Sequence, residues 1–162
     1  MWLIPILLTV HNAEEALAFH AYLPRMRTLL PGPLARLEVS LSYSAILGAL
    51  AVLSALAFLL ALAAAARPES RRTLWALLVV EAAVGVNVIA HLVTAVTVFH
   101  GYGPGLATAL MINAPFAIYC FRRVQREQWV SPAALRAAVP ASLILHGPVL
   151  VAGLWLAGRL SR

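Results

Sequence analysis

Apolar residues run along this chain in five long stretches, at about 2–23, 40–66, 73–99, 104–121 and 134–157. Short segments rich in arginine, proline and glycine separate them. A helix needs roughly 20 apolar residues to cross a hydrocarbon core of about 30 Å. The pattern therefore predicts an all-α, polytopic membrane helix bundle of about five transmembrane segments, folded as a single domain over residues 1–162. The breaks have their own chemistry. "PRMRTLLPGPLARLE" carries Pro24, Pro31 and Pro33 and is expected to end the first helix, "RPESRR" is a charged turn, and "HGYGPG" supplies three glycines and Pro104 for a tight one. Arg122, Arg123 and Arg126 end the fourth stretch, and "REQW" followed by "SP" makes the next loop.

Composition agrees with the pattern: 62% of residues are hydrophobic and 11% charged, and the mean hydropathy is +0.88. A formal charge of +6 invites a nucleic-acid reading, but the twelve basic residues are all arginines placed almost entirely between the apolar stretches. That is how interfacial loops of membrane proteins are built, so membrane lipids and no nucleic acid are the expected surroundings. No basic segment precedes the first stretch and two glutamates interrupt it, so it is expected to be a span of an inner or plasma membrane of bacterial type, not a signal peptide. If it spans, Arg67, Arg71, Arg72, Arg122, Arg123, Arg126 and Arg136 share the side of the N-terminus. Arg25, Arg27, Arg36, Arg159 and Arg162 lie on the other, and the imbalance favours a cytoplasmic N-terminus. The single cysteine, Cys120, is read as a packing residue.

Polar residues inside the stretches change the picture. With each stretch centred in the bilayer and a rise of about 1.5 Å per residue, His11, Glu14, Asn87, Asn113 and His146 fall within roughly 3 Å of one level. Glu15 lies just beyond it and His91 roughly 7 Å away. His11, Glu14 and Glu15 stand at i, i+3 and i+4 on one helix face, and Asn87 and His91 at i and i+4. Glu81 falls outside this group, and His20 and His100 are interfacial. An ionisable side chain in hydrocarbon costs on the order of 2.5 to 3.5 kcal/mol, so these residues form a candidate functional site.

His11, Asn12, Ala13, Glu14 and Glu15 match the motif of the HXXEE-domain integral membrane proteins, and the match lies near the N-terminus as it does in that family. The chain resembles that family over most of its length, in "NVIAH" and in its five stretches as well. The resemblance implies a site at His11, Glu14 and Glu15 without naming a reaction.

Imidazole and carboxylate together are ligands of zinc and of non-haem iron. One divalent ion, zinc or iron, is expected on His11, Glu14, His91 and His146. Glu15 would act as general base on bound water, with Glu14, Asn87 and Asn113 in the catalytic surroundings. A di-iron centre normally needs four carboxylates and two ExxH pairs, so a mononuclear site fits better. A site among helices and small apolar residues suits a lipid-soluble substrate, with Tyr22 and Tyr119 as possible proton donors.

Two other readings compete with this metal-dependent enzyme. The adjacent glutamates resemble those of the CAAX-processing intramembrane proteases, a metal-free hydrolase mechanism. That family's EExxxR requires arginine at position 19, where Phe19 stands, and "NVIAH" reverses its HxxxN order. A proton-coupled carrier or binding protein using the glutamate pair is the other.

Overall fold

The computed structural model describes residues 1–28 and 42–160. Pro31, Pro33, Arg36 and Arg162, which enter the expectations above, lie outside the described residues. Five helices and no strand occur among the described residues. Helix α1 spans Leu3–Thr28, α2 Tyr43–Ala66, and α3 Arg71–Thr94 with a π turn, Ala95–Phe99, continuing it. Helix α4 runs from Leu106–Thr108 through a π turn, Ala109–Asn113, into Ala114–Glu127. Helix α5 is Pro132–Ile144, a π turn at Leu145–Val149 and Leu150–Leu160.

Local chemistry sets several of these boundaries. Ser42, Ser70 and Ser131 accept from the backbone N–H groups of Ala45, Thr73 and Ala134, so three helices start on a serine cap. Pro132 follows its cap at the first helical position, where its missing N–H costs nothing. His100 and Gln128 adopt the left-handed conformation that closes α3 and α4. The expectation that Pro24 ends the first helix is corrected, since α1 continues through it to Thr28. A proline in a helix removes one hydrogen bond and strains one turn. Here Leu23 is buried and the Arg25 guanidinium donates to the carbonyls of Val98 and Phe99, which hold the turn against the end of α3.

Three helical stretches are long and apolar enough to cross a membrane: Tyr43–Ala66, Arg71–Phe99 and Pro132–Gly153. Helix α1 is interrupted by His11, Glu14 and Glu15, and α4 by Arg122 and Arg123. Large aliphatic side chains point outward all round the bundle, with Leu17 84%, Met111 79%, Val96 69% and Ile89 62% exposed. Water does not tolerate so large an apolar exterior, whereas hydrocarbon does.

Helix α3 is central and touches each of the other four. At the end where α1 begins, Ile4, Ala64, Leu77, Leu78, Cys120 and Val124 form the buried core. Arg71 closes that end by donating to the carbonyls of Gln128 and Trp129, and Trp75 Nε1 donates to the Ala134 carbonyl at 2.8 Å. Arg67, Arg72, Arg122, Arg123, Arg126 and Arg136 lie on the helices and turns of this same arginine-rich end. Toward the other end, Tyr43 at the start of α2 donates its hydroxyl to the Ala16 carbonyl at 2.9 Å. The middle of α1 is therefore level with the start of α2, and the remaining 12 residues or so of α1 extend roughly 18 Å further.

Asn12 ties α1 to α2. Its amide nitrogen donates to the Leu50 carbonyl at 3.2 Å and to Ser54 Oγ at 2.9 Å, with the side chain 6% exposed. Asn12→Ala removes both bonds, and the expected cost is about 1 kcal/mol. Thermal unfolding of the detergent-solubilised variant beside wild type measures it, and an unchanged midpoint would mean that this contact does not hold the two helices together.

Candidate functional site

The motif distributes its polar side chains among three neighbouring helices. His11, which is 0% exposed, and Glu15 turn toward α3, where they meet Asn87 and His91. His11 Nε2 lies 3.2 Å from His91 Nε2, His91 Nε2 3.2 Å from Glu15 Oε1, and His11 Nε2 3.9 Å from Glu15 Oε1. The Asn87 amide nitrogen stands 2.8 Å from His11 Nε2 and 3.0 Å from His91 Nε2. The two imidazoles meet edge to face with centroids 4.9 Å apart.

Glu14 points elsewhere. Its two oxygens accept from the Tyr102 hydroxyl, from the backbone N–H groups of Ala107 (3.1 Å) and Thr108 (2.7 Å), and from the Thr108 hydroxyl. The first N–H groups of a helix have no partner within it and carry partial positive charge, so a carboxylate is their natural acceptor. Glu14 thereby anchors the start of α4 on the middle of α1. Tyr102 lies in the turn before α4, where burial and then the hydrogen bond to Glu14 push its phenol up to about 12, so it remains a donor at neutral pH.

One hydroxyl joins the two halves of the site. Thr108 Oγ1 has a single proton, which it donates to Glu14 Oε2 at 2.5 Å, and it also lies 2.8 Å from His11 Nδ1. His11 Nδ1 must then carry the proton in that second contact. The Nε2 lone pair is left facing His91, Asn87 and Glu15. Gly105 covers the group at a φ of +77°, and a Cβ built there would stand 2.7 Å from His91 Cε1 and 2.8 Å from Glu15 Cγ and His11 Cε1. The turn can lie this close only because it has no side chain.

Of the expected site residues, the structure brings His11, Glu15, Asn87 and His91 together. Glu14 is joined to them only through Thr108. Asn113 is 1% exposed and its side chain makes no hydrogen bond among the described residues. His146, in the π turn of α5, interacts electrostatically with His91 and Glu15 without a hydrogen bond to either. His91, expected beside His11 although its depth came out roughly 7 Å from the common level, is in direct contact with it. The helices start at unequal heights, so the middle of each stretch is a poor measure of depth. Tyr22 meets Phe99 and Tyr102 edge to face and the Tyr119 hydroxyl accepts from Arg123, and neither hydroxyl hydrogen-bonds to the site among the described residues. Tyr102, Gly105 and Thr108 were not singled out by the sequence. The only signal was "HGYGPG" before an apolar run, which announces a helix start with free N–H groups but not the carboxylate that fills them.

Residues 2–120 match the family described as "Protein of unknown function with HXXEE motif". The chain belongs to the HXXEE family. No curated protein and no solved structure matches it. In this HXXEE protein the first and last residues of the motif, His11 and Glu15, share one group of side chains, and the inner glutamate, Glu14, supports it from outside.

Gly105→Ala is expected to destabilise the protein by more than the 1 to 2 kcal/mol that left-handed backbone alone costs a side chain, because the new methyl group meets three site residues. Gly48→Ala, where a Cβ meets nothing within 4 Å, should be neutral or raise stability by up to about 1 kcal/mol. Equal melting temperatures for the two variants would refute the close packing of the turn on the site.

Proposed function

We propose that this HXXEE protein crosses the bilayer with all five helices, its N-terminus cytoplasmic, and is a metal-dependent enzyme acting on a lipid-soluble substrate. His11, His91 and Glu15 bind one divalent ion, zinc or iron. The observation that carries this reading is the convergence of three ligand atoms lying within 4.8 Å of one another. A tetrahedral ion with bonds of about 2.0–2.1 Å sets its donors roughly 3.3–3.4 Å apart, close to the 3.2, 3.2 and 3.9 Å found here. The surroundings fit as well. A metal-binding imidazole characteristically donates its other ring N–H to an oxygen that is itself held, and His11 does so through Thr108 to Glu14.

Two imidazoles and one carboxylate leave coordination positions free, and the ion would supply Lewis acidity or, if iron, redox chemistry. The Asn87 amide contacts the same two Nε2 atoms, so a bound ion would take over their lone pairs and leave Asn87 beside it as a polar neighbour. His146, on the flank of the group and without a hydrogen-bond partner among the described residues, is a basic side chain available to an incoming substrate. Ile89 and Leu92 beside His91 are exposed and apolar, which supports approach from a hydrocarbon surrounding.

A second reading has an observation of its own. The Asn87 amide nitrogen lies within hydrogen-bond distance of both Nε2 atoms, so the same four side chains also form a closed proton-sharing network without an ion. That network suits a metal-free hydrolase with a glutamate base, or a proton-coupled carrier.

Elemental analysis of unchelated, detergent-purified protein separates the two. One equivalent of zinc or iron is expected in wild type, lost in His11→Ala and in Glu15→Gln. Glu14→Gln should retain it with affinity about 10 to 100-fold lower, the usual effect of altering a supporting residue. A metal-free wild type, or metal indifferent to His11→Ala, would leave the proton-sharing network as the better account.

A further inference from the structure

A second group of buried polar side chains lies between α3 and α4, apart from the His11 cluster. Glu81 and Asn113 are each 1% exposed, and Glu81 Oε1 and both amide atoms of Asn113 lack any hydrogen-bond partner among the described residues. Asn113, Ala117, Cys120 and Val124 follow at spacings of four, three and four along one buried stripe of α4. Glu81 is within electrostatic reach of Cys120 on this stripe.

A cleft of about 80 Å³ opens at the arginine-rich end, lined by Leu77, Leu78, Phe116, Cys120 and Arg123 among others. Leu77 and Leu78 precede Glu81 by about one turn of α3, roughly 5 Å. Cys120 thus belongs both to the wall of the cleft and to the stripe that carries Asn113.

We propose that water enters the bundle through this cleft and bonds to the unpartnered atoms of Glu81 and Asn113. The unpartnered atoms select the ligand. Asn113 Nδ2 needs an acceptor, while Asn113 Oδ1 and Glu81 Oε1 need donors. A cation would serve only the oxygens and an apolar molecule neither kind of atom, whereas water is donor and acceptor at once and is the usual occupant of such polar interiors. Asn113 follows Thr108 by five residues, roughly 7 to 8 Å along α4. Water held there approaches the His11 cluster from the arginine-rich end, opposite to the turn that Gly105 closes. The proposal is independent of whether the cluster holds a metal.

The single native cysteine makes this testable in the full chain. The probe is the charged, membrane-impermeant 2-sulfonatoethyl methanethiosulfonate, applied to protein in lipid vesicles of known orientation and read by mass. Wild-type Cys120 is expected to be labelled from the arginine-rich side and not from the other. In a Cys120→Ser background, Asn113→Cys should be labelled from the same side at least ten times faster than Met111→Cys, which replaces an outward-facing residue of the same helix. Equal rates at positions 113 and 111, or labelling only by the lipid-soluble N-ethylmaleimide, would overturn the proposal. Should Asn113→Cys fail to fold, Ala117→Cys on the same buried stripe takes its place, and a rate there no higher than that of Met111→Cys would overturn the proposal.

Discussion

Four polar side chains within one and a half turns of α1 cannot all face the same neighbour. Successive residues of a helix are rotated by about 100°, so His11 and Glu15 share one side, Asn12 lies on a second and Glu14 on a third. In a low-dielectric interior each of these groups needs a partner, because an unsatisfied one forfeits its solvation without return. The partners come from three directions: His91 and Asn87 on α3, Leu50 and Ser54 on α2, and the N-terminus of α4. The motif is therefore the hub that assembles the helices around α1 as much as it is a candidate site, and damage to it is expected to affect both.

The contact between Glu14 and the start of α4 carries the most information into the site. A carboxylate on free helix N–H groups fixes where α4 begins, and with it the positions of Thr108 and Gly105. Thr108 then determines which nitrogen of His11 holds the proton, and Gly105 determines how closely the turn approaches both imidazoles. The chemistry available at His11 Nε2 is set by a residue 97 positions away in the chain.

The two ends of the bundle are built differently. The arginine-rich end combines aliphatic packing around Leu77 and Leu78, Arg71 on the α4–α5 turn and a cleft beside them. The other end, where α2 and α4 begin, holds the polar group and is crossed by the projecting half of α1, with Arg25 on the last carbonyls of α3. Between them, Glu81 Oε1 and the Asn113 amide have no hydrogen-bond partner among the described residues, and the proposed hydration through the cleft would supply one.

Much of this was legible in the sequence for a definite reason. Length of apolar run and proline and glycine breaks act locally, so five helices and the all-α class follow from reading neighbours along the chain. The cost of burying charge is equally local, which is why His11, Glu14 and Glu15 stood out. Pairing is not local. That Glu15 and not Glu14 lies with His91, that Tyr102 and Thr108 complete the surroundings, and that Pro24 sits within a helix all depend on the heights at which separate helices start. Those heights are set by contacts such as Tyr43 on Ala16 and Glu14 on Thr108, between residues 27 and 94 positions apart. A single helix specifies the rotation of its own side chains, and only the packed bundle decides what each of them meets.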